Sequence, residues 1–220
     1  MGISRVDVEL HWRVLAGKHT GMAYITVNEE GDNSIVIYGG ANMDFKTDEL
    51  EEDFRAVIDS AQYLLLQKEV PMGVNLSAAK YAFAQGKTVI LDCGGRDDDI
   101  PEELLDNITY ISPNETELVR LDPSIVIEEG KLDLQAIAEE IRKKLIARHP
   151  NLKVLLKLGS KGSAIVTSDL LVRGEVVTAL NKAVLEDYKI IDTVGAGDCF
   201  TGAYAVKHSE LDWSDPAKRE

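Results

Sequence analysis

The feature that most narrows the fold is a series of short, unbroken apolar runs separated by helix-length segments. Tyr63-Leu64-Leu65-Leu66, Thr88-Val89-Ile90-Leu91, Ile108-Thr109-Tyr110-Ile111 and Lys153 to Leu158 are such runs. A strand with almost no polar alternation has both faces covered, as in a parallel sheet enclosed by helices. The segments between read as helices: Thr47 to Ile58 with Thr47 or Asp48 as cap, Val74 to Ala84, Pro101 to Leu105 and Asn114 to Leu121. Leu132 to Ala147 carries Leu134, Ile137, Ala138, Ile141 and Leu145 along one side of a longer helix. The alternation predicts an α/β fold in three layers, a mainly parallel sheet with helices on both faces. Gly162 to Thr167 adds a strand, and Asp169 to Val177 is expected to form a β-hairpin. Ligands of such sheets sit beyond the carboxyl ends of the strands.

The chain before this alternation has a different pattern. Val6, Val8, Leu10, Trp12 and Val14 alternate, as a strand with one buried face would. Gly21 to Val27 and Ser34 to Tyr38 flank the turn-rich Asn28-Glu29-Glu30-Gly31-Asp32-Asn33, which predicts a β-hairpin. Gly39-Gly40-Ala41-Asn42 then bends the chain away. Two units are expected: a small β segment over 1–44 and an α/β unit over 45–220.

The strongest chemical signal is Asp192-Thr193-Val194-Gly195-Ala196-Gly197-Asp198. Tyr188 to Ile191 before it reads as a strand end, and Phe200 to His208 after it as a helix. Glycines at 195 and 197 lack the Cβ atoms that hold an anion off the backbone. The unpaired first-turn N–H groups and the helix dipole face the same spot. This elbow suits a phosphate or a phosphoryl group in transit. Asp198 beside it could take a proton from an attacking hydroxyl while the N–H groups of Gly195, Ala196 and Gly197 meet the developing charge. On local grounds alone, Asp198 could equally be a cap in a glycine-rich turn.

This signature resembles that of the ribokinase-like (PfkB) carbohydrate kinases. Asn114-Glu115-Thr116-Glu117 resembles the family's Asn-x-x-Glu motif, and Lys157-Leu158-Gly159-Ser160-Lys161-Gly162 its Gly-x-x-Gly nucleotide turn. The similarity runs from about Thr20 to about Tyr204. It implies a sugar kinase using ATP and Mg²⁺, with the hairpin as part of a small lid and Ala23 and Ile35 against the sugar. Glu69 matches a sugar-binding Glu of ribokinases, which points to ribose phosphorylated at O5; fructose, adenosine and other acceptors stay open. Asn114, Lys157, Gly159, Ser160 and Gly162 would bind the nucleotide, Glu117 would order Mg²⁺ through water, and Asp192 with the Val194 carbonyl would hold K⁺. Lid strands of the family pair between subunits, so a homodimer is implied.

Each implied role has a plainer local counterpart. Asn114 and Glu117 form a capping box by spacing, Gly159 and Gly162 fit an ordinary turn, Glu69 fits a solvated loop, and Ala23 and Ile35 fit simple core packing. Compared with the family, the chain looks short at both ends, so a catalytically impaired nucleotide-binding remnant or an interaction protein is the second expectation.

Composition prunes other functions. The 220 residues suffice for one sizeable core, and a net charge of −14 disfavours nucleic acid and anionic membranes as partners. Two distant cysteines, Cys93 and Cys199, give no disulfide framework, and a reducing cytoplasm is expected. No apolar run is long enough to span a bilayer. A Gly-x(4)-Gly-Lys-Ser/Thr loop is absent, Gly195 to Gly202 does not fit Gly-x-Gly-x-x-Gly, and His11, His19, His149 and His208 lack metal or triad spacing.

Overall fold

The computed structural model describes residues 14–28, 33–45, 50–127, 133–174 and 194–210. The alternating stretch from Val6 to Trp12, the caps expected at Thr47 or Asp48, the strand end at Tyr188 to Ile191 and the candidate cation ligand Asp192 lie outside them.

Six strands form one sheet in the order β3-β4-β5-β6-β7-β8: β3 Tyr63–Leu66, β4 Thr88–Asp92, β5 Tyr110–Ser112, β6 Lys153–Lys157, β7 Ser163–Val166 and β8 Leu171–Gly174. β3 to β6 are parallel, whereas β7 and β8 add antiparallel to them. The expected hairpin at Asp169 to Val177 is, in its described part, the single strand β8. Its partner is β7, and the turn lies earlier, where the Thr167 N–H donates to the Leu170 carbonyl at 2.9 Å.

Side chains alternate between two cores on opposite faces. Val89 and Leu91 of β4, Ile111 of β5 and Val154 and Leu156 of β6 enter the larger one. There they meet α1 (Glu52–Ser60), α2 (Met72–Ala84), α3 (Glu102–Leu105), α4 (Glu115–Leu121) and α5 (Leu134–Ile141), which runs on as a π-helical turn at Arg142–Ile146. Ile90, Tyr110 and Leu155 point the other way, against Phe200, Tyr204 and Ala205 of α6 (Ala196–Glu210). Full burial of such aliphatic side chains stabilises by roughly 1.5–3 kcal/mol each, so both layers are needed to cover these strands. Helix α1 starts at Glu52, later than expected; its N-cap Glu51 is extended and makes no side-chain cap hydrogen bond.

Strands β1 (Met22–Val27) and β2 (Asn33–Tyr38) form the expected hairpin, antiparallel, with Ile25 opposite Ile35. Apolar side chains on both faces are exposed, Tyr24 at 59% on one and Ile35 at 47% on the other. The hairpin joins the rest through a narrow neck. The Ala41 N–H donates to the His19 carbonyl at 2.8 Å. A Cβ on Gly40, whose φ is +51°, would lie 2.5 Å from that carbonyl oxygen, and one on Gly21 would lie 2.7 Å from the Gly39 oxygen. A 3₁₀ turn at Gly40–Met43 leads back toward the sheet.

Candidate active site

Because β3 to β6 run parallel, their carboxyl ends deliver side chains to one edge. β3 leads to Gln67 and Glu69, β4 ends at Asp92 before Gly94 and Gly95, β5 leads to Asn114, and β6 ends at Lys157 before Gly159. The lid hairpin and the start of α6 reach the same edge. Together they line a cleft of about 630 Å³. Ala23, Ile35, Glu69, Asn114, Glu117, Lys157, Gly159, Val194, Gly195, Gly197 and Asp198 all border it, whereas Ser160, Gly162 and Ala196 do not line it. A second hollow of about 580 Å³ continues past Glu69, Asp92 and Asp198 to Phe45, Thr201 and Gly202.

The elbow has the backbone its glycines suggested. Gly195 has φ +74°, a left-handed conformation, and its carbonyl accepts the first helical bond, from Cys199 N–H at 3.0 Å. Asp198 is exposed in the first turn of α6. Gly159 and Gly162 also have positive φ, and a 3₁₀ turn at Gly159–Lys161 is closed by Leu158 N–H to the Gly162 carbonyl at 2.9 Å.

Asn114 and Glu117 form a complete capping box. Asn114 Oδ1 accepts from Glu117 N–H and Glu117 Oε2 accepts from Asn114 N–H, both at 2.8 Å. This leaves Glu117 Oε1 without a capping duty. A short parallel bridge pairs Asn114 with Lys157 and brings α4 and β6 together at the cleft.

Glu69 is held by its loop: buried Asn75 of α2 donates to the Gln67 carbonyl at 2.7 Å. Its Oε2 is buried and accepts no hydrogen bond from the described residues. An unsatisfied buried acceptor costs about 1–3 kcal/mol. Burial, with the charges of Asp198 and Asp92 adding to it, pushes the Glu69 carboxyl above the usual carboxylate range.

Sequence reading missed Asp92. It is buried at the end of β4, where both of its oxygens accept from Lys157 Nζ at 3.0 Å, and Thr201 Oγ1 at 2.7 Å and Gly94 N–H at 2.9 Å donate to it as well. Lys157 Nζ also lies 3.8 Å from Glu117 Oε2. The available signal was an acid followed by paired glycines at the end of a buried strand, Asp92-Cys93-Gly94-Gly95. Both cysteines are free, Cys93 buried and Cys199 exposed.

No group of three or more His, Cys, Asp or Glu among the described residues could hold a metal alone. An ion that keeps most of its waters and needs one carboxylate, as Mg²⁺ does, fits the spare oxygen of Glu117. No helix among the described residues is long and apolar enough to cross a membrane.

A hairpin, the carboxyl ends of the parallel strands and a helix N-terminus thus border one cleft, with the Glu69 and Asp198 carboxylates on its wall. The family model described as pfkB family carbohydrate kinase matches residues 4–215, and the chain belongs to that family. It is 40% identical over 196 residues to a ribokinase of Arabidopsis thaliana, covering 88% of this chain and 48% of the relative. It is 35% identical over 193 residues to a ribokinase of Staphylococcus aureus (strain COL), covering 86% and 56%. The structure of Arabidopsis thaliana ribokinase complexed with ribose and ATP gives a TM-score of 0.71 at 36% identity, covering 88% of this chain and 58% of that one. Ribokinase from Giardia lamblia gives 0.72 at 28% identity, covering 93% and 59%. The chain spans about half the length of the curated relatives it matches.

Proposed function

We propose that the cleft phosphorylates a sugar with ATP, and that the sugar is ribose. The observation that carries this reading is that Glu69, whose Oε2 is unpartnered among the described residues, lines the cleft that also holds the glycine elbow and Asp198. A sugar hydroxyl would donate to Glu69, and Ala23 and Ile35 of the lid would cover the sugar's apolar side. Asp198 would then take the proton of the primary hydroxyl at O5. The O5–phosphorus bond forms as the bond from the γ-phosphorus to the β–γ bridging oxygen breaks, and ADP leaves. N–H groups of Gly195, Ala196 and Gly197 stabilise charge on the moving group, the main demand of this chemistry. Asn114, Lys157, Gly159, Ser160 and Gly162 contribute the nucleotide side. Relatives that carry the ribokinase name, one of them in complex with ribose and ATP, support the choice of sugar.

Mg²⁺, when bound, would neutralise phosphate charge, and Glu117 would orient its water shell. Val194 at the cleft, with Asp192, is the proposed K⁺ position. Apolar side chains exposed on both faces of the lid support a homodimer formed through it. Two free cysteines fit a cytoplasmic protein.

The test is ADP release from ATP–Mg²⁺ by the 220-residue chain, with ribose, fructose and adenosine as acceptors. Ribose-dependent release is expected. Nucleotide binding without release for any acceptor would instead establish the impaired remnant.

A further inference from the structure

Asp92 is the best-connected side chain at the cleft, yet nothing in the transfer step uses it. A carboxylate offers about four lone-pair positions. Here Lys157 Nζ takes both oxygens at 3.0 Å, Gly94 N–H takes Oδ1 and Thr201 Oγ1 takes Oδ2. With those positions filled, Asp92 has no capacity left for a sugar hydroxyl or an ion.

The network joins three elements, β4 through Asp92, β6 through Lys157 and α6 through Thr201. Its centre lies beneath the elbow, for a Cβ built on Gly197 would stand 3.6 Å from Lys157 Nζ. The Lys157 side chain is 14% exposed and faces a second carboxylate, Glu117, at 3.8 Å. Lys157 can therefore meet a phosphate only from one fixed position, not as a freely moving side chain. What the pairing supplies is position: a positive group already desolvated and fixed under the atoms that meet the developing charge. Fixed charges of this kind act without reorganising at the moment of reaction.

We propose that Asp92 is a positioning residue for phosphoryl transfer, which holds the Lys157 ammonium beneath Gly197 while Thr201 and Gly94 orient its own carboxylate. This rests on the kinase reading above. It separates two effects that a loosened structure would combine. Asp92→Asn removes a negative charge near the nucleotide phosphates, so ground-state binding holds or tightens. The same change releases Lys157 from its place, so transfer slows.

The test compares the parent chain, D92N, K157M and the double variant. ADP affinity is measured by calorimetry, kcat and KM with ribose as acceptor, and melting temperature by scanning calorimetry. For D92N the expected result is ADP affinity unchanged or up to about threefold tighter, kcat lower by about tenfold or more, and ribose KM within about twofold. K157M is expected to weaken ADP binding. The double variant should turn over no more slowly than K157M alone, because Asp92 acts through the lysine. Parental kcat in D92N, or losses that multiply in the double variant, would overturn the proposal. So would joint weakening of ADP and ribose in step with a lower melting temperature. If the parent binds ADP but transfers nothing, the kinase reading alone fails. The ADP series then decides: held or tighter in D92N with K157M weaker supports the role, and any other pattern overturns it. A parent that binds no ADP overturns both.

Discussion

Gly95 lies directly against Glu69: a Cβ on Gly95 would come within 2.5 Å of Glu69 Oε1, and its φ is +89°. The glycine is thus what allows the proposed sugar-binding carboxylate to occupy its place. Gly95→Ala is strained twice, by backbone conformation and by contact. It should lose about 1–3 kcal/mol of stability and raise the sugar KM by about tenfold or more, with ADP affinity little changed. Steady-state kinetics with ribose varied, beside ADP calorimetry, check this. A parental KM would remove Glu69 from the sugar site.

Asp198 stands exposed at the first turn of α6, where the proposed transfer calls for a base. Asp198→Asn should lower kcat by at least about a thousandfold. ADP affinity should stay within about twofold, because the amide fills the same space. Equal turnover in that variant would retire the base assignment.

The capping box and the proposed magnesium role of Glu117 can be separated. Asn114→Ala removes the acceptor for Glu117 N–H and should destabilise by about 1 kcal/mol, read by urea unfolding. Glu117→Gln keeps an oxygen for Asn114 N–H, so unfolding should shift by no more than about 0.5 kcal/mol. It removes the charge, however, and the magnesium concentration needed for half-maximal turnover should rise severalfold. An unchanged magnesium requirement would leave Glu117 as a cap alone.

At the far end of α6, His208 sits between the hydroxyls of Tyr63 at 2.6 Å and Tyr110 at 3.0 Å. Burial, helped by the Lys153 charge, pushes its imidazole from 6.5 down to about 4. The unfolded chain takes up this proton near pH 6.5 and the folded chain only near 4. The contribution is therefore complete above about pH 6.5 and is lost as pH falls toward 4. Melting temperatures between pH 7 and pH 4 should fall less steeply for His208→Gln than for the parent. Asp122 and Glu140, whose carboxyls sit below the usual range, contribute to acid loss in both proteins. Parallel slopes would dismiss His208 as a source.

What could be read in the sequence was what is local. Strands β3, β4 and β6 were legible because burial on both faces leaves apolar runs, and the elbow and the Asn114–Glu117 box because each sits within a few residues. The start of α1 was not legible, since its N-cap Glu51 makes no side-chain cap hydrogen bond. The pairing of β8 with β7 was not legible, because it is set by the sheet and not by local spacing. Asp92 stayed hidden for a further reason. Its partners lie 65 and 109 positions away, at Lys157 and Thr201, and only the parallel sheet brings them together.

The glycine-tight neck at Gly21 and Gly40 fixes how the hairpin is attached. Both strands pass through it together, with no slack to let one slide along the other. The roof over the cleft is therefore a single piece, anchored at these glycines. A methyl group added there would reshape the cleft from a distance, by displacing Ala23 and Ile35 as a pair.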